Sequence, residues 1–359
     1  MRKIDAYIFK KYIGTFFFAI SMLILVVIIF DVSENIDSFL RNNAPWQRVV
    51  VDYYLMSVPY YINLFIHLFA FIAVVFFTSK MAARTEIVAI LSSGVSFWRF
   101  LVPYMMAAVA IALMSLYFGN FLIPKTNEIR RQFKDEYMEK LSQSAGRNVH
   151  VQIGKDEFVY VESYNIAKQY GYKFSWEKFD GNELKYKVMS DVLYHDTVAD
   201  NSWKIDPYAI RNIDGKEETL EKGRDFRTLL NLYPTDLYMM KEDFEEMNFF
   251  ELRDHIMGMK EKGSEGVKAY QVEMHNRMSA PAAVIILTLI GAALSSRKVR
   301  GGIGMHLGIG ITIAFAYILF MQISKSFAIS GGLSPALAAW FPNIIFAALG
   351  VYLLAKAPK

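Results

Sequence analysis

Six stretches of the chain run without a single Asp, Glu, Lys or Arg: 12–30, 53–79, 100–124, 278–296, 301–324 and 326–355. Each is at least 19 residues long. A helix rises about 1.5 Å per residue and a bilayer core is about 30 Å thick, so about 20 apolar residues cross it. The pattern predicts six membrane-spanning helices, three on either side of a long polar insertion. The first run is too long for a secretory signal and lacks a small-residue cleavage site.

Within 125–277 no such run occurs, and from Asn148 the apolar period becomes two. Val149, Val151 and Ile153 alternate with polar neighbours; Gly154-Lys155-Asp156 reads as a turn; Phe158-Val159-Tyr160-Val161 follows. Further strands are expected at Leu184–Val188, Val192–His195, Trp203–Ile205, Tyr208–Ile213 and Thr228–Leu232, with turn pairs at Asp180-Gly181 and Asp214-Gly215. Short strands with regular turns predict a small antiparallel sandwich or jelly roll. At 249–262 the period returns to that of a helix, through Phe249, Leu252, Ile256 and Met259. Asn248 and Glu251 stand where an N-cap and its N3 partner would. The fold class is therefore membrane α-helical, with six transmembrane helices and an inserted all-β, jelly-roll-like domain. The expected division is 1–124 for the N-terminal membrane half, 125–248 for the β-domain, and 249–359 for a juxtamembrane helix and the C-terminal half.

Charge orients this layout. Twelve of the Lys and Arg in the short loops and termini fall on one side: Arg2, Lys3, Lys10, Lys11, Lys80, Arg84, Arg99, Arg297, Lys298, Arg300, Lys356 and Lys359. Only Arg41, Arg48 and Lys325 fall on the other. Because basic loops stay in the cytoplasm, both termini are expected there and the β-domain on the periplasmic side of an inner membrane. The net charge of +4 is accounted for at these helix ends and calls for no nucleic-acid partner. The chain of 359 residues has no cysteine, which excludes disulfides and thiolate metal sites.

The block 79–99, between the second and third runs, holds Lys80, Arg84, Glu86 and Arg99. Met81, Ile87, Ile90 and Leu91 fall near helical spacing, and Gly94 reads as a stop, so a helix over about 83–94 is expected. Spacing alone leaves two readings open: a helix that passes force from a soluble partner to the spans, or a loop whose basic residues only set topology. Residues 1–11 read equally as an amphipathic lead-in or a plain basic flank. Asp31, Glu34, Asp37 and Arg41 would form a slanting, solvated stripe if the first helix continues.

In the second run, Pro59 should kink the helix. Asn63 and His67 share a face and are expected to bond another helix rather than relay protons. Gly304 and Gly308 make a G-x-x-x-G pair, a weak sign of close helix contact. No HExxH, GxSxG, P-loop or strand-borne GxGxxG is present, and the six His show no metal-ligand spacing. Any energy must therefore come from another subunit.

Five stretches carry a resemblance to a known family: IDAYIFKKYIGTF, RTEIVAILSSGVSFWRF, FVYVES, YQVEMHNRMSAPAAVIILTLIGAAL and GGLSPALAAWFPN. The chain resembles the lipopolysaccharide-export permeases LptF/LptG, also called YjgP/YjgQ, and the LptG branch more than LptF. The resemblance covers essentially the whole length. It implies a non-catalytic transmembrane subunit of an ABC exporter that takes lipopolysaccharide from the inner membrane to a periplasmic bridge. The implied partners are an LptB-like ATPase dimer, which would hold the ATP and Mg that this chain does not bind, an LptF-like second permease, and an LptC-like bridge protein. It further implies that the helix at 83–94 docks on the ATPase, with Glu86 central and Arg84, Ile87, Ile90, Leu91 and Gly94 around it, and that lipid enters between the first span of one permease and the fifth span of the other.

Lipid phosphates favour basic residues at the outer surface, which makes Arg41 and Lys325 candidates, with Gln322 beside them and Lys125, Arg130 and Arg131 weaker. Phe158 and Tyr160 are the lipid-contact candidates on the β-domain. Asp31, Glu34 and Asp37 stand where family members often carry basic residues. The alternative reading is a membrane-anchored scaffold or sensor whose β-domain binds a partner. A lipid-modifying enzyme would need a catalytic pair that is not found.

Overall fold

The computed structural model describes residues 3–138, 144–165, 168–181, 183–196, 201–215, 217–237, 241–261, 266–297, 299 and 302–356. The chain divides into a helical unit, 1–139 with 271–359, and a second unit, 140–270. The boundaries expected at 124 and 248 therefore move to about 139 and 270, and the helix after the strands goes with the β unit.

Six helices of the described residues are long and apolar enough to cross a membrane. They are α1 (Lys3–Arg41), α2 (Trp46–Ala83) and, after the short α3 (Glu86–Ser92), α4 (Phe97–Tyr137). Beyond the β unit and its helices α5 (Lys241–Glu246) and α6 (Phe249–Glu261) come α7 (Val267–Ser295), α8 (Gly302–Ile329) and α9 (Pro335–Ala355). The residues 3–11 simply continue α1, and no Pro or Gly interrupts it from Thr15 until the chain turns at Asn43 and Pro45. At 39 residues α1 is about 58 Å long, well beyond a bilayer core.

Prolines in α2 and α4 follow wide turns. Pro59 removes the amide that would reach the Leu55 carbonyl, and Val49–Leu55 just before it is π-helical. Pro124 does the same to Asn120, and Phe118–Leu122 is π-helical. The helix of the third span thus runs on past Pro124, through the charged stretch that follows the apolar run, to Tyr137.

Inside the bundle, polar residues bond between helices, as lipid-facing segments require. Ser115 donates to Asn63 at 2.7 Å, joining α4 to α2. His67 is buried with its ring 5.5 Å from that of Tyr317 on α8. Tyr317 donates to Asn343 at 2.9 Å, and Asn343 donates to the Ser279 carbonyl at 2.8 Å, so α8, α9 and α7 are tied in one chain. The G-x-x-x-G expectation fails within this chain: Gly304 and Gly308 are exposed and nothing lies near them. Close approach occurs at Gly291 instead, where an added Cβ would overlap Val74 and crowd Phe71 to 3.1 Å. Gly291→Ala is expected to cost about 1–3 kcal/mol by overpacking α7 on α2, while Gly304→Ala is neutral. Thermal unfolding of the two variants in one detergent checks this; equal midpoints would refute it.

The β unit holds β1 (Ser144–Gly154), β2 (Glu157–Asn165), β3 (Tyr170–Asp180), β4 (Glu183–His195), β5 (Ser202–Ile205), β6 (Tyr208–Asp214), β7 (Glu217–Gly223) and β8 (Phe226–Leu229). All pairings are antiparallel, and the main path is β1-β2-β3-β4-β5-β8. The sheet forks at β4, whose Tyr186–Met189 pair with β6 and whose Leu193–His195 pair with β5; β6 in turn pairs with β7. One apolar core, with Val161, Phe174, Val188, Trp203, Ile205 and Leu232, draws on both branches. The strands expected at 184–188 and 192–195 are one strand, because Ser190 bonds the Val192 backbone and the chain runs on past Asp191. In α6, Asn248 Oδ1 accepts from the Phe250 and Glu251 amides and Glu251 accepts from the Asn248 amide, which is the reciprocal cap its spacing foretold.

Candidate functional site

The helix between the second and third spans is shorter than expected. Helix α2 itself reaches Ala83, and Thr85 then adopts a left-handed conformation (φ 62°) that breaks the ladder. The seven residues of α3 follow, and Gly94 turns the chain at φ 87°, where a β-carbon would be strained although space is open. Ser96 then caps α4 by accepting from the Arg99 amide. Two left-handed turns thus set α3 off as a separate block.

The two sides of α3 differ. Ile87 is 1% exposed and belongs to the core of the helical unit, with Ile90 and Leu91 partly buried against it. Val88 and Ser92, at helical i+4 spacing on α3, are exposed, Val88 at 55%, and so is Arg84 in the turn before the helix. Trp98 adds an indole that is 67% exposed at the start of α4. Glu86 sits between the sides: Tyr7 donates to its carboxylate at 3.3 Å, and the Arg84 guanidinium lies 3.9 Å away. Ile87 is therefore a mounting residue rather than a contact offered to a partner. Spacing put Ile87, Ile90 and Leu91 on one side but could not say that this side faces inward. Val88 and Trp98 were missed; their signal is an apolar position off the Ile87–Ile90–Leu91 side and an aromatic at the mouth of a span. Asp5 was missed too: its carboxylate, largely buried, accepts from Arg99 at 2.6 Å.

Helices α1 and α8 are the least buried of the six spans. In its first half helix α1 meets the bundle along a seam of Ile8, Tyr12, Phe16, Ile20 and Ile24, each four residues from the last, and near its end Phe39 is buried on Tyr53, Tyr54 and Phe133. After Ile24 its next buried residue is Phe39, and the separation leaves an apolar groove of about 600 Å³ between α1 and the start of α2. Ile28, Val32 and Ile36 line one wall and Val49, Val50 and Leu55 the other. Helix α8 presents Phe315, Leu319, Ile323 and Phe327 as an exposed stripe at i+4 spacing. Gln322 is exposed beside it, and Lys325 is half-buried one turn from its end.

Arg41 is exposed in the last turn of α1. The acidic stripe before it is not wholly solvated, since Asp31 accepts from Tyr53 at 3.4 Å while Glu34 and Asp37 are exposed. Nearby cations are engaged: Arg48 bonds Asp52 at 2.9 Å and Glu136 at 2.8 Å, and Arg130 lies over the Tyr60 ring.

On the β unit, Phe158 and Tyr160 point away from the core that holds Val159 and Val161. Tyr160, Ser175, Met189, Ala209 and Lys222 form one register row across five strands. A groove of about 710 Å³ runs over that row, rimmed by Lys173, Lys187 and Arg224; Phe158 lies outside it. The Glu162 carboxylate, 2.6 Å from Lys173, holds that ammonium's pKa above its ordinary value by hydrogen bonding and by charge. Among the described residues no group of His, Cys, Asp and Glu could hold a metal ion.

A family model described as lipopolysaccharide export system permease LptF/LptG matches residues 6–356. The permease protein LptG of Escherichia coli K12 is 22% identical over 318 residues, 85% of this chain and 84% of its own length. That of Haemophilus influenzae Rd is 20% identical over 365 residues, 98% of each chain. Six spans, an inserted antiparallel β-domain and these matches make this a multi-pass inner-membrane protein. The chain belongs to the LptF/LptG family of lipopolysaccharide export permeases.

Proposed function

We propose that this chain is the permease subunit through which a separate ABC ATPase drives lipopolysaccharide out of the inner membrane. An LptB-like ATPase dimer docks on the exposed side of α3, at Arg84, Glu86, Val88 and Ser92. An LptF-like permease completes the membrane part, and an LptC-like protein receives the lipid on the periplasmic side. The observation that carries this reading is the mounting of α3: one side anchored in the core by Ile87, the other free, between two left-handed turns. Orientation comes from the charge count, since the twelve basic residues gather at the α3 end and at both termini.

Lipid enters past α1 and α8, the two spans with the least packing to lose and the widest apolar faces. Arg41 and Lys325, near the far ends of those helices, meet its phosphates. Charge missing from the Asp31–Asp37 segment comes from the second permease or from divalent cations. The exposed β face at Phe158 and Tyr160 then carries the lipid onward.

Photo-crosslinkers distinguish the docked side of α3. A crosslinker at Val88 is expected to capture the ATPase subunit in membranes, and one at Ile87 to capture only this chain. Capture from Ile87 and not from Val88 would sink the docking face. A further set on the exposed stripe, at Leu25, Ile29, Leu319 and Ile323, should trap lipopolysaccharide; adducts with phospholipid alone at every position would sink lateral entry.

A further inference from the structure

At the end of the bundle where α2 runs out toward α3, three buried side chains carry a polar atom with no hydrogen-bond partner. They are Ser79 Oγ on α2, Ser295 Oγ on α7 and His306 Nδ1 on α8. The residues are 2%, 0% and 4% exposed. Packing brings them to one level. Helices α2 and α8 run antiparallel, with the Tyr317 ring on His67 and Gly310 closing on Val75, where an added β-carbon would stand 3.3 Å from the side chain. One turn further along each helix, Ser79 and His306 come opposite one another. Helix α7 approaches α2 most closely at Gly291, against Val74 and Phe71, and Ser295 is the next turn of that same face. The tail of α7 is fixed to the same imidazole: His306 Nε2 lies 2.9 Å from the Arg297 carbonyl, two residues past Ser295.

A buried polar atom left unpaired keeps the full cost of its lost hydration. A carbonyl oxygen only accepts, so Nε2 carries the proton of the bond to Arg297, and in the neutral ring Nδ1 is then an acceptor. Two hydroxyls, each able to donate or accept, complete a set that a single water molecule matches: it donates to Nδ1 and exchanges hydrogen bonds with the two serines. A cation fits worse, because the three groups are uncharged and the charged residues beside them in the chain, Lys80 and Arg297, are themselves cations. We propose that Ser79, Ser295 and His306 bind one internal water molecule that joins α2, α7 and α8. The imidazole is then a positioning group: held at Nδ1 by the water, it keeps Nε2 on the end of α7, where the last carbonyls have no intrahelical amide. The site does not depend on which partner α3 meets or on what the chain exports.

The test is radiolytic hydroxyl labelling of the full-length permease. A short X-ray exposure makes each water a source of hydroxyl radical, and a buried side chain is oxidised only where a water lies against it. Tyr104 is the dry reference: it is 0% exposed, and its hydroxyl already bonds Thr78 and Met81. His306 is expected to be oxidised well above Tyr104 despite its burial. A brief mix into water enriched in the heavy oxygen isotope should leave the light isotope on His306 and put the heavy one on Trp98, which is exposed. After hours of exchange both should carry the heavy isotope. Ser79→Ala combined with Ser295→Ala removes two of the three partners, and oxidation of His306 should fall to the Tyr104 level. Each single Ala variant should fall between.

A His306 as inert as Tyr104 in the wild type overturns the site. So does immediate uptake of the heavy isotope, which would make the place an open inlet and not an internal site. Undiminished oxidation of His306 in the double variant refutes the serines as partners, and the proposal with them. Wild-type labelling that changes when sodium and potassium are replaced by choline would show an ion as the occupant and overturn the water. Should the double variant fail to purify, the exchange measurement on the wild type decides by itself.

Discussion

Glu86→Arg should strip the ATPase from the purified complex and abolish ATP-driven lipopolysaccharide release. Glu86 opens α3, is partly exposed, and lies against Arg84 and the Tyr7 hydroxyl. The substitution replaces an acceptor by a cation beside Arg84, so the docking face loses its carboxylate and gains repulsion. Breaking a desolvated, charge-assisted contact costs about 2–5 kcal/mol, and each 1.4 kcal/mol is tenfold in affinity. Co-purified ATPase should therefore fall by more than tenfold. Glu86→Gln keeps an acceptor for Tyr7 and should be intermediate. The pull-down is read beside permease pairing, which must survive, because Glu86 is not part of the core. Normal ATPase recovery and normal release from Glu86→Arg would remove α3 from the transport mechanism.

How much of this could be read from the chain depends on the range of the interaction. The six spans were visible because absence of charge over 19 residues is a local property. The full length of α1 was left open by Asp31, Glu34 and Asp37, because helices stop at backbone signals such as Asn43 and Pro45 and not at charges. Asn63 was correctly turned inward by the cost of a bare amide in lipid, but its partner, Ser115, is 52 residues away.

The β region shows the same limit. Strands with clean alternation, such as Val159 and Val161 in β2, were legible. β3 packs Phe174 and Trp176 inward among Lys and Glu, and β7 is nearly all polar, so neither stood out. At the candidate site, spacing found α3 and the side of it that carries Ile87, Ile90 and Leu91. Only packing shows that this side is the mount. Arg99 read as a topological flank and Asp5 carried no signal until folding brings them together across 94 positions.

The largest loss of stability is expected at Tyr12, and the reason is the way α1 is attached. Tyr12 is fully buried at the second step of the seam that joins the first half of α1 to the bundle. It shares a 2.6 Å hydrogen bond with Thr288 on α7 and meets the Tyr104 ring on α4 at 6.4 Å, so one side chain grips two other helices. Water cannot replace either contact at that depth. Tyr12→Ala leaves a cavity that α1 cannot collapse into without leaving Phe16 and Ile20, and aromatic-to-Ala changes in packed cores cost about 3–5 kcal/mol. Tyr12→Phe keeps the ring and loses only the bond to Thr288, about 0.6 kcal/mol by the average for helix pairs in membranes and at most about 1.7. Leu25→Ala, on the exposed side of the same helix, should cost almost nothing. Unfolding in detergent, followed on the intact permease, gives the order Ala far below Phe at position 12, with Leu25→Ala at wild type. If Tyr12→Ala and Leu25→Ala unfold together, α1 is not held by its seam, and no gate can be built on it.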